Sequence, residues 1–229
     1  YSVACDVRGV TELLPAELLV RPDEAYRVRT EIDRHRAEAG EPVNATCIVE
    51  DQFGNPTTAR DVLVRTQPSR GVRVDDRVVH TELAGDYSIE CSAFGLGREP
   101  QSMTVVAGPP TRAAVELSDY GVMAGERVEV RCHLADQFGN EAMGDTNYTV
   151  TPLVTNFDDQ GFTAQTAGQY WVTCYAPMFS VESDPTLLTV YPNLPVSISI
   201  LSLTPQALIY ARTDIVDVAV LVLEIYGNE

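Results

Sequence analysis

The sequence predicts an all-β protein made of tandem β-sandwich repeats. Three observations support this prediction: an internal repeat, strand-like alternation of apolar and polar residues, and a cysteine pair placed alike in both repeats. A composition of 45 % hydrophobic and 21 % charged residues is that of a globular chain, and 229 residues allow one or two domains. No apolar run reaches the roughly 18 residues of a membrane-spanning helix.

The internal repeat is visible in two blocks of sequence. The first block runs from Ala-Gly-Glu through a cysteine to Asp-Gln-Phe-Gly-Asn, and its copies are offset by 85 residues (132 − 47). The second block runs from Ala-Gly through a tyrosine to another cysteine, and its copies are offset by 83 residues (174 − 91). The first block occupies residues 39–55 and 124–140, and the second occupies residues 84–91 and 167–174.

Both ends of the chain continue this repeat. Residues 1–5 read Tyr-Ser-Val-Ala-Cys and resemble residues 87–91, and residues 226–229 resemble residues 138–141. The chain therefore reads as an excerpt of a longer tandem array. Cys5 is expected to be unpaired, because its partner would lie in a part of its repeat that precedes the chain.

Proline-containing joints set the expected domain boundaries. Residues 23–109 and 110–193 are expected to be complete repeats. Residues 1–22 would be the last two strands of a preceding repeat, and residues 194–229 the first two strands of a following one. Proline fixes φ and removes a backbone donor, so it ends strands and stiffens short linkers.

Alternating apolar residues predict the strands of each repeat. Tyr87, Ile89 and Cys91 fall on one face, and the same period-two pattern recurs around the other three cysteines of the two repeats. No window shows a sustained apolar period of about 3.6 residues, which is the pattern of a surface helix. Short strands separated by frequent turn signals indicate a β-sandwich.

The cysteine pairs place a predicted disulfide in each repeat. The two inward-facing cysteines lie 44 residues apart (91 − 47) in the first repeat and 42 apart (174 − 132) in the second. Since facing sheets lie about 10 Å apart, we expect Cys47–Cys91 and Cys132–Cys174 bridges. The alternative is a pair of reduced cysteines that act as small apolar residues. A zinc site is disfavoured, because the spacing is wide and no histidine joins the pair.

The layout resembles the immunoglobulin-like repeats of invasin- and intimin-type bacterial proteins. The resemblance rests on the cysteine pair, the Ala-Gly-x-Tyr approach to the second cysteine and the Asp-Gln-Phe-Gly-Asn turn. It departs from the antibody pattern, because Tyr87 and Tyr170 lie four residues before the cysteine rather than two, and the core tryptophan is absent. The resemblance implies a disulfide between strands B and F. It also implies strands F and G in residues 1–22 and strands A and B in residues 194–229.

Composition and motifs argue against several functions. The net charge of −17 disfavours nucleic acid and anionic lipid as partners. The chain has no lysine, which excludes Schiff-base and phosphate-loop chemistry. No nucleophile elbow, phosphate loop or metalloprotease motif occurs, and the three histidines are interpreted as scattered surface residues. We therefore expect neither an enzyme nor a resident cofactor.

Two acidic features have structural and functional interpretations. In the Asp-Gln-Phe-Gly-Asn turns, Asp51 and Asp136 are expected to cap backbone N–H groups, and Phe53 and Phe138 to close the end of the core. Two pairs of adjacent aspartates are candidates for weak Ca²⁺ sites, although solvated acidic turns are the simpler interpretation, because only two of the six to eight oxygen ligands can be named for each site. These pairs are Asp75 with Asp76, and Asp158 with Asp159.

An aromatic stripe is the candidate binding site. Trp171, Thr173 and Tyr175 are expected to point outward from their strand in the second repeat, where they would contact a glycan or a protein. Packing against a loop or a neighbouring repeat is the alternative. Asn44 and Asn147 each begin an Asn-x-Thr glycosylation sequon.

The leading functional hypothesis is a non-enzymatic extracellular rod of disulfide-stapled modules that presents or spaces a binding head. Its partners would be neighbouring repeats of the same or another chain, without membrane insertion. The alternatives are a glycan- or protein-binding module that uses the aromatic stripe, and a filament subunit assembled by strand complementation between copies. A location outside the cell or on its surface is expected, because disulfides require an oxidising compartment.

Overall fold

The computed structural model of the protein describes residues 1–4, 6–11, 16–93, 95–204 and 217–228. The chain divides into two compact units, Tyr1–Val106 and Ala107–Glu229. Within the described residues the regular elements are all β-strands, which confirms the predicted all-β class. No helix in this part of the chain is long and apolar enough to cross a bilayer.

The first unit begins with four short strands that pair as β1 with β4 and β2 with β3. They are β1 (Ser2–Val3), β2 (Asp6–Val7), β3 (Val10–Thr11) and β4 (Ala16–Glu17). Cys5 lies outside the described residues, so its pairing stays a prediction.

The remainder of the first unit is a two-layer β-sandwich. Its strands are β5 (Arg27–Ile32), β6 (Arg36–Glu38), β7 (Pro42–Glu50), β8 (Leu63–Gln67), β9 (Val72–Asp75), β10 (Val78–Thr81), β11 (Gly85–Ser92), β12 (Gly97–Glu99) and β13 (Gln101–Val106). One sheet has the order β12-β5-β7-β10-β9, and the other has the order β6-β13-β11-β8. Strands β5, β7, β10 and β9 correspond to A, B, E and D of the immunoglobulin fold, and β8, β11 and β13 correspond to C, F and G.

The second unit repeats this topology. Its strands are β14 (Arg112–Leu117), β15 (Gly121–Met123), β16 (Arg127–Ala135), β17 (Asn147–Thr151), β18 (Asn156–Phe157), β19 (Gly161–Thr163), β20 (Gly168–Ala176), β21 (Val181–Glu182) and β22 (Thr186–Tyr191). The sheets are β14-β16-β19-β18 and β15-β22-β20-β17, and β21 pairs with β20. The predicted division into two complete repeats and two partial ones stays a prediction, although its boundaries fall between strands.

Alternation along each strand builds the two cores, because successive side chains of a strand point to opposite faces. In β20, Tyr170, Val172 and Cys174 are buried, whereas Gln169 and Trp171 are exposed. The core of each sandwich contains the predicted disulfide. The Cα–Cα distance is 5.6 Å for Cys47–Cys91 and 5.7 Å for Cys132–Cys174. Both disulfide predictions are therefore confirmed, and each bridge joins strand B to strand F.

A final hairpin packs on the second sandwich. It consists of β23 (Pro195–Thr204) and β24 (Asp217–Glu224), and the turn that follows β24 contacts the loop before β20. Asn228 donates its side-chain N–H to the carbonyl of Gln165 at 2.8 Å and accepts the N–H of Ala167 at 2.7 Å. Tyr226 lies against Gly125, where a Cβ atom would come within 2.2 Å of the tyrosine oxygen. Glycine is required there for this close approach and for its φ of +91°.

Candidate functional site

A tyrosine anchors the start of strand F in both sandwiches. Tyr87 donates its hydroxyl to the carbonyl of Leu83, and Tyr170 donates to that of Thr166, each at 2.8 Å. Burial raises the pKa of Tyr87. The tyrosine lies four residues before the cysteine, yet it makes the backward hydrogen bond of a tyrosine corner. The tyrosine therefore occupies a different sequence position from that in antibody domains but makes the same kind of hydrogen bond.

The aspartate after strand B organises the following turn, as the sequence predicts. One carboxylate oxygen of Asp51 accepts the N–H groups of Phe53 and Asn55 at 2.9 and 2.8 Å. The other accepts the side-chain N–H of Asn55 at 2.9 Å and the backbone N–H of Asp23 at 3.0 Å. The hydrogen bond from the Asn55 side chain, followed by those from the backbone, lowers the pKa of Asp51 to about 2.

The same turn recurs twice more in the chain. Asp136 accepts the N–H groups of Phe138 and Asn140 at 2.8 and 2.9 Å, and the N–H of Gly108 at 3.0 Å. At the end of β24, Glu224 takes this place and accepts the N–H groups of Tyr226 and Asn228, each at 2.9 Å. Sequence comparison missed Glu224, because glutamate replaces aspartate there.

The expectation for the turn phenylalanines is wrong for the first repeat. Phe53 is 75 % exposed, so it does not close the core. The N–H groups of Phe53 and Asn55 donate to Asp51 and hold the tip of the turn beyond the end of the strand, where the Phe53 side chain projects into solvent. Phe138, its counterpart, is half-buried.

The two aspartate pairs have structural partners. Asp75 forms an ion pair with Arg73 at 3.3 Å, and Asp76 occupies the turn between β9 and β10 with a φ of 55°. Arg127 donates to both carboxylate oxygens of Asp158 at 2.8 and 2.9 Å, and this contact lowers the pKa of Asp158 to about 2. In the described part of the chain, no third histidine, cysteine, aspartate or glutamate joins either pair. Calcium binding therefore stays a prediction.

The aromatic stripe lies on the outer face of strand F, as the alternation predicts. Trp171 is 46 % exposed, whereas Thr173 and Tyr175 are half-buried. On the neighbouring strand β17, Thr151 is paired with Trp171, and Asn147 is paired with Tyr175. The face is therefore built from rings, hydroxyl groups and an amide, a combination that suits contacts with a polar partner.

A groove adjoins this face at the Tyr175 end and was not predicted from the sequence. It has a volume of about 370 Å³ and lies beside strands β17, β18 and β20. Phe157 lines it and is 61 % exposed. The one feature of the sequence that could have indicated the groove is the position of Phe157, directly before Asp158 and Asp159.

The two sequons differ in their surroundings. Asn44 lies in the central strand β7, and its side chain donates to Asp33 at 2.8 Å. Asn147 begins the edge strand β17 and lines the groove. Both asparagines are exposed, and their glycosylation stays a prediction.

The topology and the B–F disulfides define tandem immunoglobulin-like β-sandwiches, and the fold is similar to that of one solved bacterial adhesin. FdeC, an adhesin of Escherichia coli, is 17 % identical with a TM-score of 0.57, covering 92 % of this chain and 77 % of that chain. Invasin, a bacterial integrin-binding protein, is 11 % identical with a TM-score of 0.48, covering 86 % and 47 % respectively. The adhesin InvE of Yersinia pseudotuberculosis is 12 % identical with a TM-score of 0.36, covering 78 % and 65 %.

The predicted resemblance to bacterial immunoglobulin-like repeats is confirmed at the level of the fold. No protein-family model and no curated protein matches the sequence.

Proposed function

We propose that the chain is a segment of a cell-surface or secreted adhesion protein, in which consecutive sandwiches act as a spacer for a binding region. The observation that carries the proposal is a covalent bridge between the two sheets in each of two tandem modules. Such a bridge resists unfolding and proteolysis outside the cell, where disulfides persist. The likeness of the fold to FdeC supports the adhesin setting.

The dimensions and charge of the modules suit a spacer. The longest strands of each sandwich have nine residues, which corresponds to about 30 Å of length per module. The net charge of −17 keeps neighbouring molecules apart and soluble.

Single-molecule pulling tests the spacer role. In the oxidised protein each sandwich is expected to unfold in a discrete event, and its disulfide keeps a loop of 44 or 42 residues closed. Reduction should increase the extension gained in each unfolding event by roughly 150 Å, which is the length of the released loop at about 3.4 Å per residue. A Cys47→Ser/Cys91→Ser variant should show one long and one short event. Gradual extension of the oxidised protein without discrete events would contradict the proposal, because a spacer must stay folded under load.

A second candidate function is the binding of a glycan or a protein by the aromatic stripe of the second sandwich. This candidate is supported by a difference between the two repeats in the residues at the stripe positions. At the positions of Trp171 and Tyr175 the first sandwich has Ser88 and Ser92 (offset 83, 174 − 91). Since the first sandwich folds without these rings, the fold does not require them.

Replacing Trp171 by alanine tests the second candidate. Because exposed aromatic residues often dominate binding surfaces, Trp171→Ala should weaken capture of an immobilised glycan or protein by about tenfold or more. The melting temperature should change by only a few degrees, since the ring is 46 % exposed. Ser88→Ala is the matched control and should leave capture unchanged. Full binding by Trp171→Ala to every glycan and protein that the wild type captures would remove this candidate.

A further inference from the structure

The groove beside the aromatic stripe combines aromatic rings with the negative charge of Asp159, which no ion pair neutralises among the described residues. Phe157 and Tyr175 line it together with Asn147 and Asp159. Phe157 is 61 % exposed although it lies in a strand. A large ring left in contact with water beside a polar cleft is a candidate anchor point for a partner.

The two aspartates of the groove differ in their electrostatic state. Asp158 is neutralised by Arg127, which contacts both of its carboxylate oxygens. Asp159 has no ion pair among the residues that the structure describes, and it lines the same groove. Glu182 is paired with Tyr175 across strands β21 and β20 and adds a second negative charge at this end of the sheet. The side chains that line the groove include no arginine.

The first sandwich has different residues at the equivalent positions. With the offset of 83 residues (174 − 91), Phe157 corresponds to Val74, Tyr175 to Ser92 and Asp159 to Asp76. The carboxylate is therefore present in both repeats, whereas the rings occur in the second alone. A groove beside Ser92 in the first sandwich is lined by Asp61, Arg65 and Arg98, so it has charges of both signs and lacks an aromatic ring. The combination of rings and free carboxylate is thus a property of one module that the shared fold does not need.

We propose that this groove binds an arginine or lysine side chain presented by a protein partner. The proposal rests on the second candidate function and specifies the chemistry of its ligand. A cation over Phe157 or Tyr175 is attracted by the negative face of the ring, and Asp159 supplies the opposite charge within the same groove. The charge complementarity favours this occupant, because a neutral saccharide would use the rings without needing the Asp159 charge, and an acidic ligand would be repelled by it.

Two peptides that differ only in charge test the proposal. The probes are Ac-Gly-Arg-Gly-NH2 and its citrulline counterpart, which replaces the guanidinium by a neutral urea of similar shape. In NMR titrations of the 229-residue chain, the arginine peptide should shift the amide signals of residues 146–159 and 175. It should bind at least about threefold more tightly than the citrulline peptide, the size expected for one partly exposed cation–π contact.

Variants locate the effect. Asp159→Asn keeps the shape of the side chain and should reduce the preference for arginine over citrulline, because it removes the opposite charge but leaves the rings in place. Phe157→Ala should weaken binding of the arginine peptide by about threefold. Asp76→Asn is the matched control, because it removes the same charge at the equivalent position of the first sandwich. It should leave binding unchanged. Melting curves of all three variants verify that the sandwiches remain folded.

Several outcomes would overturn the proposal. Equal binding of the two peptides, or an Asp159→Asn variant that keeps the full preference, would exclude the proposed cation site, in which Asp159 supplies the opposite charge. Binding of cellobiose at the same amide signals, unaffected by Asp159→Asn, would assign the groove to a saccharide. The Trp171→Ala capture experiment is separate, so a failure of the groove proposal leaves the second candidate function standing. A failure of the second candidate function would be seen as unchanged capture by Trp171→Ala, which the peptide titrations do not measure.

Discussion

Reduction of the two disulfides is expected to lower the melting temperature of each sandwich by roughly 15–30 °C. The bridges close loops of 44 and 42 residues. In the chain-entropy model, opening a loop of this size lets the unfolded chain gain about 4 kcal/mol of conformational freedom. For a domain of this size, 1 kcal/mol corresponds to a change of about 4–8 °C in melting temperature. Cys91 and Cys174 are fully buried, whereas Cys47 and Cys132 are half-buried, so one thiol of each reduced pair would remain inside the core.

The presence of two modules in one chain makes this measurement internally controlled. Calorimetry of the protein with and without a phosphine reductant should show both transitions shifting. In Cys47→Ser/Cys91→Ser the transition of the first sandwich alone should shift, and in Cys132→Ser/Cys174→Ser that of the second alone. If reduction left both melting temperatures unchanged, the bridges would not be a main source of stability, and the mechanical role proposed for the modules would lose its basis.

The parts of the structure that follow from local periodicity were predictable from sequence. The B–F bridges were predicted because each cysteine lies in an alternating strand and the pair recurs in two repeats. The capping role of Asp51 was predicted because an aspartate before Gly-Asn hydrogen-bonds its own turn. The outward direction of Trp171 followed from the buried positions on either side of it. Each of these inferences needs only the nearest neighbours in the chain and the repeat.

The parts that depend on packing between distant segments were not predictable. The groove was missed because Phe157 lies in a strand of only two residues, which is too short to show alternation, and because Tyr175 reaches it from another strand. The expectation for Phe53 was wrong because burial of a turn residue depends on the direction in which the turn projects. The sequence pattern identified the turn but contained no information about that direction.

Replacing Asp136 by alanine is expected to have the second large effect. The Asp136 side chain is buried and accepts four hydrogen bonds, three from backbone N–H groups and one from the Asn140 side chain at 2.8 Å. Alanine leaves these donors without a partner near the end of the second core. We expect a loss of about 3 kcal/mol, since one unsatisfied buried donor costs about 1–3 kcal/mol and water will reach some of the four.

The melting transition of the second sandwich provides the measurement, with that of the first as reference. The second transition should fall by roughly 10–20 °C in Asp136→Ala, whereas the first should stay in place. Gln137→Ala is the matched control in the same turn. Its side chain is exposed, so it should change stability by no more than about 0.5 kcal/mol. An unchanged second transition in Asp136→Ala would show that the turn is held by its backbone geometry alone.

The pH dependence of the Asp136→Ala effect distinguishes the loss of a carboxylate from the loss of packing. Burial opposes ionisation of Asp136, but the donors from Asn140 and the backbone outweigh it, so its pKa lies below the ordinary value. A group whose pKa is lowered by folding stabilises the protein above its unfolded pKa, about 4, and loses this contribution as the pH falls through the folded pKa. The difference in unfolding free energy between wild type and Asp136→Ala should therefore be constant at neutral pH and shrink below about pH 4. A difference that stays constant to pH 2 would assign the effect to packing, because a cavity does not titrate.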